Sequence, residues 1–181
     1  MATPPTFTSG SVLTAAQMNS VGLWLVKTQT IGSAVSSVAV TSAFSSDYEN
    51  YKIIVSGGVA STAVDLLFQL TGSTTGYYFA QTITGYTTGT VSGAAGNNSS
   101  SWVVGFGSTG ALNMNIDLQG PNLAKTTQFG CNRPTISTTG SSVHVSGFHN
   151  VATAYTGFTI TPTSGTLTGG TIAVYGYKGL V

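Results

Sequence analysis

Residues 112–118 read LNMNIDL, with Leu112, Met114, Ile116 and Leu118 alternating against Asn113, Asn115 and Asp117. A period of two is the spacing at which successive side chains leave opposite faces of a β-strand, so this stretch predicts a strand with one buried and one wet face. The same alternation recurs along the chain. Tyr51, Ile53 and Val55 alternate with Lys52, Ile54 and Ser56, and Val64, Leu66, Phe68 and Leu70 alternate with Asp65, Leu67 and Gln69. Further strand-like runs are Val35–Val40, Trp102–Phe106, Thr127–Cys131, Val143–Phe148, Gly157–Thr161 and Thr171–Tyr177. Turn signals separate them, among them Ser56-Gly57-Gly58, Thr75-Gly76, Ser164-Gly165 and Gly169-Gly170. About eight or nine strands at this spacing suit a sandwich or barrel. Two Gly/Thr/Ser/Asn-rich stretches, Thr71–Ser101 and Gly130–Ser142, exceed a hairpin turn and are expected to be large loops or irregular edge strands. No motif recurs at a fixed period, which argues against a solenoid.

The beginning of the chain reads differently. Pro4-Pro5 disfavours helix and sheet and predicts an extended arm. Thr14 and Gln17 have the spacing of a capping box, and Leu13 and Met18 that of a hydrophobic staple. Ala15, Met18, Gly22 and Leu25 share a face at helical spacing, so a short helix is expected from Ala15 to about Gly22, fading into strand near Trp24. The fold class that follows is all-β: a jelly-roll-like antiparallel β-sandwich over residues 27–181, preceded over residues 1–26 by an extended arm and one short helix.

Composition narrows the function. Asp, Glu, Lys and Arg make up 5% of the chain, against about 25% in ordinary globular proteins. With a net charge of +1, 8 Tyr, 8 Phe and 2 Trp, the chain is a folded one whose surface is hydroxyl and amide rather than ionic. Low charge removes the repulsion that keeps copies apart, so self-association or docking in an assembly is expected. Lys27, Lys52, Lys125, Arg133 and Lys178 are scattered and form no phosphate-neutralising run, so nucleic acid is not an expected partner. No segment has the roughly 18–20 continuous apolar residues of a membrane span, and the beginning MATPPTFTSG lacks a signal peptide's basic and apolar regions. A membrane partner is therefore not expected, and synthesis in a cytoplasm is. The single cysteine, Cys131, precludes an intrachain disulfide and reads as a buried, inert thiol.

Candidate chemistry is sparse. GFGSTG, Gly105–Gly110, has the spacing of a dinucleotide-binding loop, but strands flank it on both sides where such a loop opens a helix; it reads as a β-turn, and no cofactor is expected. Asp47 and Glu49 lead into the strand at Tyr51 with Lys52 as counter-charge, and Asp65 and Asp117 fall on polar strand faces. A glycosidase needs two carboxyls set about 5–10 Å apart, which this pattern does not single out. His144 and His149 lie on opposite faces if one strand carries both, and read as hydrogen-bonding or interface histidines with no metal implied. No G-x-S-x-G nucleophile elbow occurs. Tyr77, Tyr78, Phe79 and Tyr86 lie among Gly and Thr; Tyr77, Tyr78 and Tyr86 are candidates for a receptor or subunit contact. The residues thus predict a non-enzymatic protein without catalytic, cofactor or metal residues.

PTFTSGSVLTAAQMNSV resembles the G-x-V-x-T-A-A-x-x-N opening of virion proteins of tailed bacteriophages. LVKTQTIGSAVSSVAVTSAFSSDYENYKIIVSGG and FTITPTSGTLTGGTIAVYGYK are similar to the first and closing strands of β-sandwich surface proteins of cyanophages and other aquatic phages. The middle of the chain, Thr71–Ser142, is the least similar part. The resemblance implies a small, usually homotrimeric β-sandwich on the virion surface, made in the host bacterial cytoplasm. It also implies attachment through the N-terminal segment, where Pro4, Phe7, Leu13, Met18, Leu23 and Trp24 are the candidate contacts with capsid or tail proteins. The chain has no heptads or repeats from which to build a stalk, which favours a capsid decoration or cement protein. The alternative is a tail-fibre or baseplate adhesin that binds a host surface glycan through the Tyr-rich segment.

Overall fold

The computed structural model describes residues 9, 10, 12 and 22–177. The expected arm, the capping box and nearly all of the expected helix, with Pro4, Phe7, Leu13 and Met18, lie outside the described residues. Gly22 is described, and its φ of 97° is incompatible with a right-handed helix passing through it. Among the described residues there is no helix. The strands are β1 (Trp24–Thr30), β2 (Val38–Val40), β3 (Asn50–Ser56), β4 (Val59–Ala60), β5 (Val64–Leu70), β6 (Tyr77–Gly85) and β7 (Val91–Ser99). They continue as β8 (Trp102–Gly107), β9 (Leu112–Gln119), β10 (Thr127–Asn132), β11 (Ser141–His149), β12 (Phe158–Pro162), β13 (Leu167–Thr168) and β14 (Thr171–Tyr177).

Two antiparallel sheets form the frame. The first runs β1-β14-β3-β9 and the second β2-β12-β5-β8, and the β8–β9 hairpin joins them through Gly105↔Met114 and Gly107↔Leu112. This is the strand order of a jelly roll, two interleaved Greek keys closed into a sandwich. The apparent nucleotide loop is that hairpin's turn, with the Ser108 amide donating to Ala111 O at 2.8 Å. Its glycines serve packing: a Cβ at Gly107 would lie 2.8 Å from Leu112 Cδ2 and 2.9 Å from Ala60 Cβ.

The two Gly/Thr/Ser/Asn-rich stretches divide between the two expectations: most of Gly130–Ser142, residues 133–140, is the loop joining β10 to β11, whereas Thr71–Ser101 ends in an edge strand with a register shift in its pairing. Most of Thr71–Ser101 is a hairpin of two nine-residue strands, β6 and β7, inserted between β5 and β8. The β10–β11 hairpin is likewise inserted between β9 and β12. Both insertions add to the first sheet beyond β9, in the order β10-β11-β6-β7, so that sheet is eight strands wide and overhangs its four-stranded partner. β7 has no buried residue, because it lies at the sheet's outer edge. The sequence VSGAAGNNS therefore carries no apolar face to mark it as a strand.

The alternating residues of both sheets meet in one core. An aromatic chain crosses it from Tyr51 to Phe44 (ring centroids 4.8 Å apart), Phe158 (5.6 Å), Phe68 (4.7 Å), Trp102 (5.9 Å) and Phe129 (4.3 Å). Tyr77 meets Trp102 edge-on at 5.1 Å, which ties the inserted strands to the same core. Truncating any of these rings to Ala costs roughly 3–5 kcal/mol in a well-packed interior.

Candidate functional site

The inserted strands create a broad outer face on the first sheet, directed away from the core. On β9 the alternation that buries Leu112, Met114, Ile116 and Leu118 turns Asn115, Asp117 and Gln119 outward. On β10 it turns out Gln128, Gly130 and Asn132, and on β11 His144, Ser146 and Phe148. Strand register then aligns these residues in rows. One row is Asn50, Gln119, Gln128, Phe148 and Tyr78; the next is Lys52, Asp117, Gly130, Ser146 and Ala80.

Gly130 leaves a gap in the middle of its row, since a Cβ there would find no atom within 4 Å. Around the gap lies an open groove of about 570 Å3, lined by Asp117, Gln119, Gln128, Ser146 and Phe148 among others. Past Gly130 it continues into a second depression of about 310 Å3 that shares Asp117, Gly130 and Ser146 and adds Asn115, Asn132 and His144. Phe148, 42% exposed, forms one wall and is stacked on Tyr78 with centroids 5.1 Å apart and planes within 7°. Lys52 Nζ donates to both Asp117 oxygens, at 3.0 and 3.2 Å, so the groove's one carboxylate is already charge-paired. The site is neutral, shallow and polar, with one apolar wall.

The carboxylates take four separate partners. Lys52 pairs with Asp117 across the β3–β9 register and not with Asp47 or Glu49; Glu49 is paired with Lys125 at 3.2 Å, and Asp47 accepts from Ser45 Oγ at 3.1 Å. Asp65 is not a free surface position: it accepts from Arg133 Nη1 at 2.6 Å. Among the described residues, no three His, Cys, Asp or Glu side chains are grouped to hold a metal ion.

β11 carries both histidines, and they face opposite ways as the alternation predicts: His144 is exposed and His149 is buried. His149 Nε2 lies 2.8 Å from Ser73 Oγ and 2.9 Å from Thr75 O. The carbonyl has no proton to give, so Nε2–H is the donor and cannot act as a base toward Ser73. Nδ1 is left to accept from Tyr155 Oη at 3.5 Å. Burial lowers the His149 pKa below the usual 6.5, opposed by backbone hydrogen bonds at Thr75 and Val151. This cluster fastens the turn before β6 to the end of β11.

The candidate contact tyrosines separate. Tyr77 is fully buried, accepting from Leu70 N at 2.8 Å and donating to Ser73 O at 3.1 Å; burial pushes its phenol pKa up to about 12. It is a core residue, not a surface contact. Tyr78 backs the groove wall, and Tyr86 is exposed in the turn after β6. Of the candidate attachment residues that are described, Leu23 is 52% exposed and Trp24 is the half-buried first residue of β1. The groove residues Gln119, Gln128, Gly130, Ser146 and Phe148 were not distinguished by sequence. Their signal, outward positions on three strands, becomes a site only when register is known.

The fold is thus an antiparallel jelly roll with one enlarged sheet and a neutral groove on its outer face. No family model, no curated protein and no solved structure matches the chain.

Proposed function

We propose that this chain is a non-enzymatic structural protein of a tailed-phage virion, a homotrimeric surface knob that decorates and stabilises the capsid. The observation that carries the self-association is β7. It is a nine-residue edge strand, VSGAAGNNS, with no charge, no Pro and no buried side chain. An exposed uncharged edge offers its unpaired N–H and C=O groups to another chain, and soluble proteins ordinarily guard such edges with charge or proline. At the sheet's other edge, Leu23, just before β1, and Leu25 within it are exposed and offer an apolar surface to a partner. The resemblance of the segment before β1 to phage virion proteins supplies the particle, and the lack of heptads and repeats favours the capsid over a fibre.

Two measurements test this. The native mass of the full chain is expected at three times its 18.4 kDa, falling toward the monomer in Ala94→Lys, which places a charge on β7. Deleting residues 1–21, upstream of β1, is expected to leave a folded domain that no longer joins particles present at capsid-like copy number. A monomeric wild type, or normal decoration by the truncated chain, refutes the respective half.

A further inference from the structure

We propose that the groove over β9, β10 and β11 is a binding site for a neutral oligosaccharide. This goes beyond a decorating role and does not depend on the chain's oligomeric state.

Charge comes first. Among the described residues, the only carboxylate in the lining is Asp117, which is bridged by Lys52, and no Lys or Arg lines either part of the groove. Among the described residues, a phosphorylated, sulfated or nucleic-acid ligand would find no cation in the lining to neutralise it. An ammonium ligand would have to compete with Lys52 for Asp117. A ligand without charge meets neither obstacle.

Hydrogen-bonding capacity comes second. Among the described residues, the side-chain amides of Asn115, Gln119, Gln128 and Asn132 form no hydrogen bond. Several amides elsewhere are engaged, though Asn50, Asn97 and Asn150 are not: Gln69 donates to Ser100 O at 2.8 Å, Gln81 accepts from Arg133, Asn113 donates to Pro134 O and Asn122 to Tyr155 O. The groove therefore collects amides that each offer donors and an acceptor. A sugar hydroxyl also both donates and accepts, so rows of amides with Ser146 suit a polyhydroxylated ligand.

The wall comes third. Phe148 is held upright by Tyr78 at 5.1 Å and is 42% exposed. The C–H face of a pyranose can lie on such a ring while its rim hydroxyls reach the amides. An apolar platform with a few placed polar groups, in a volume of about 570 Å3, is within the roughly 300–1,000 Å3 of small-molecule sites. The continuation past Gly130 gives the groove length, which suits an oligosaccharide. A second copy of the chain fits less well, because the floor is polar and Phe148 is the exposed large apolar residue in the lining.

The test is native affinity electrophoresis of the full chain in gels containing dextran, a galactomannan or a xylan, with dextran sulfate as the polyanion. Retardation is expected in at least one neutral gel, weakened about tenfold or more in apparent Kd by Phe148→Ala. Because Phe148→Ala also strips packing from Tyr78, Gly130→Val is the second variant; nothing obstructs its side chain, so it blocks the groove in a folded protein. Retardation that Gly130→Val abolishes supports the proposal. It is overturned if no neutral polysaccharide retards the protein, if dextran sulfate alone does, or if Gly130→Val leaves retardation unchanged. A change in native mass on Gly130→Val, with no sugar effect, would make the groove an interface between copies and also overturn it.

Discussion

Arg133 places Nη1 2.6 Å from Asp65 Oδ1 on β5, while its Nη2 donates to Gln81 Oε1 on β6 at 2.8 Å. One guanidinium, 6% exposed, thus joins both inserted hairpins to the four-stranded sheet. Its Nε has no partner among the described residues, so the ion pair bears most of the cost of burying the charge. Asp65→Ala is expected to cost about 2 kcal/mol, less than the roughly 3–5 kcal/mol for breaking a wholly buried pair, because Asp65 is 41% exposed. Arg133→Met with Asp65→Ala should cost less than Asp65→Ala alone, since no buried charge is then left unpaired. Urea unfolding of the two variants checks the order.

His149 makes stability fall with acid. Burial holds its folded-state pKa below the unfolded value near 6.5, so between the two values the unfolded chain binds more protons than the folded one. The contribution is complete above about pH 6.5 and declines as pH falls through that value toward the folded pKa. His149→Gln keeps an N–H for Thr75 O but does not titrate. It should be less stable than wild type at neutral pH and show a flatter decline across this window, measured by Tm against pH.

Gly130 and Gly147 sit on adjacent paired strands and face opposite sides, which gives their substitutions opposite signs. A Cβ at Gly147 would strike Tyr78 O and come within 2.8 Å of Phe79 Cα, so Gly147→Ala should destabilise by about 3 kcal/mol as an overpacked core position. A Cβ at Gly130 meets nothing, and a branched side chain suits a strand better than glycine. Gly130→Val should therefore be neutral or stabilise by roughly 0.5–1 kcal/mol. Denaturation midpoints of the two variants on either side of wild type are the expected result.

What could be read from the sequence follows from which contacts are local in it. The alternation in β3, β5 and β9 is visible because each strand buries one face and wets the other, and the jelly-roll frame follows from those runs. The β6–β7 hairpin is hidden because its outer strand is wet on both faces. Tyr77 belongs to an alternating series with Phe79, Gln81 and Ile83, but the surrounding Gly and Thr obscure the pattern and make a core ring resemble a surface one. The groove is less legible still. Asp117, Gly130 and Ser146 become neighbours only through the β9–β10–β11 register, and the same nonlocal pairing gives Lys52 to Asp117 in place of nearby Asp47 or Glu49.

Cys131 is the chain's one thiol and lies on the inner face of β10, 8% exposed. Burial pushes its pKa up to about 12, against a smaller opposing pull from Arg133. The thiolate, which is the reactive form, is therefore scarce at neutral pH, and a reagent would have to enter the core to reach it. In the native protein Cys131 should not react with a disulfide-exchange reagent such as DTNB on the timescale at which free cysteine does. In urea it should react fully, and at low urea its labelling rate should follow the opening of the β10–β11 region. Asp65→Ala, which loosens Arg133 two residues away, should raise that rate, whereas Gly130→Val, which acts on the opposite face, should not. Rapid native labelling would show that β10 opens far more readily than its buried inner face allows.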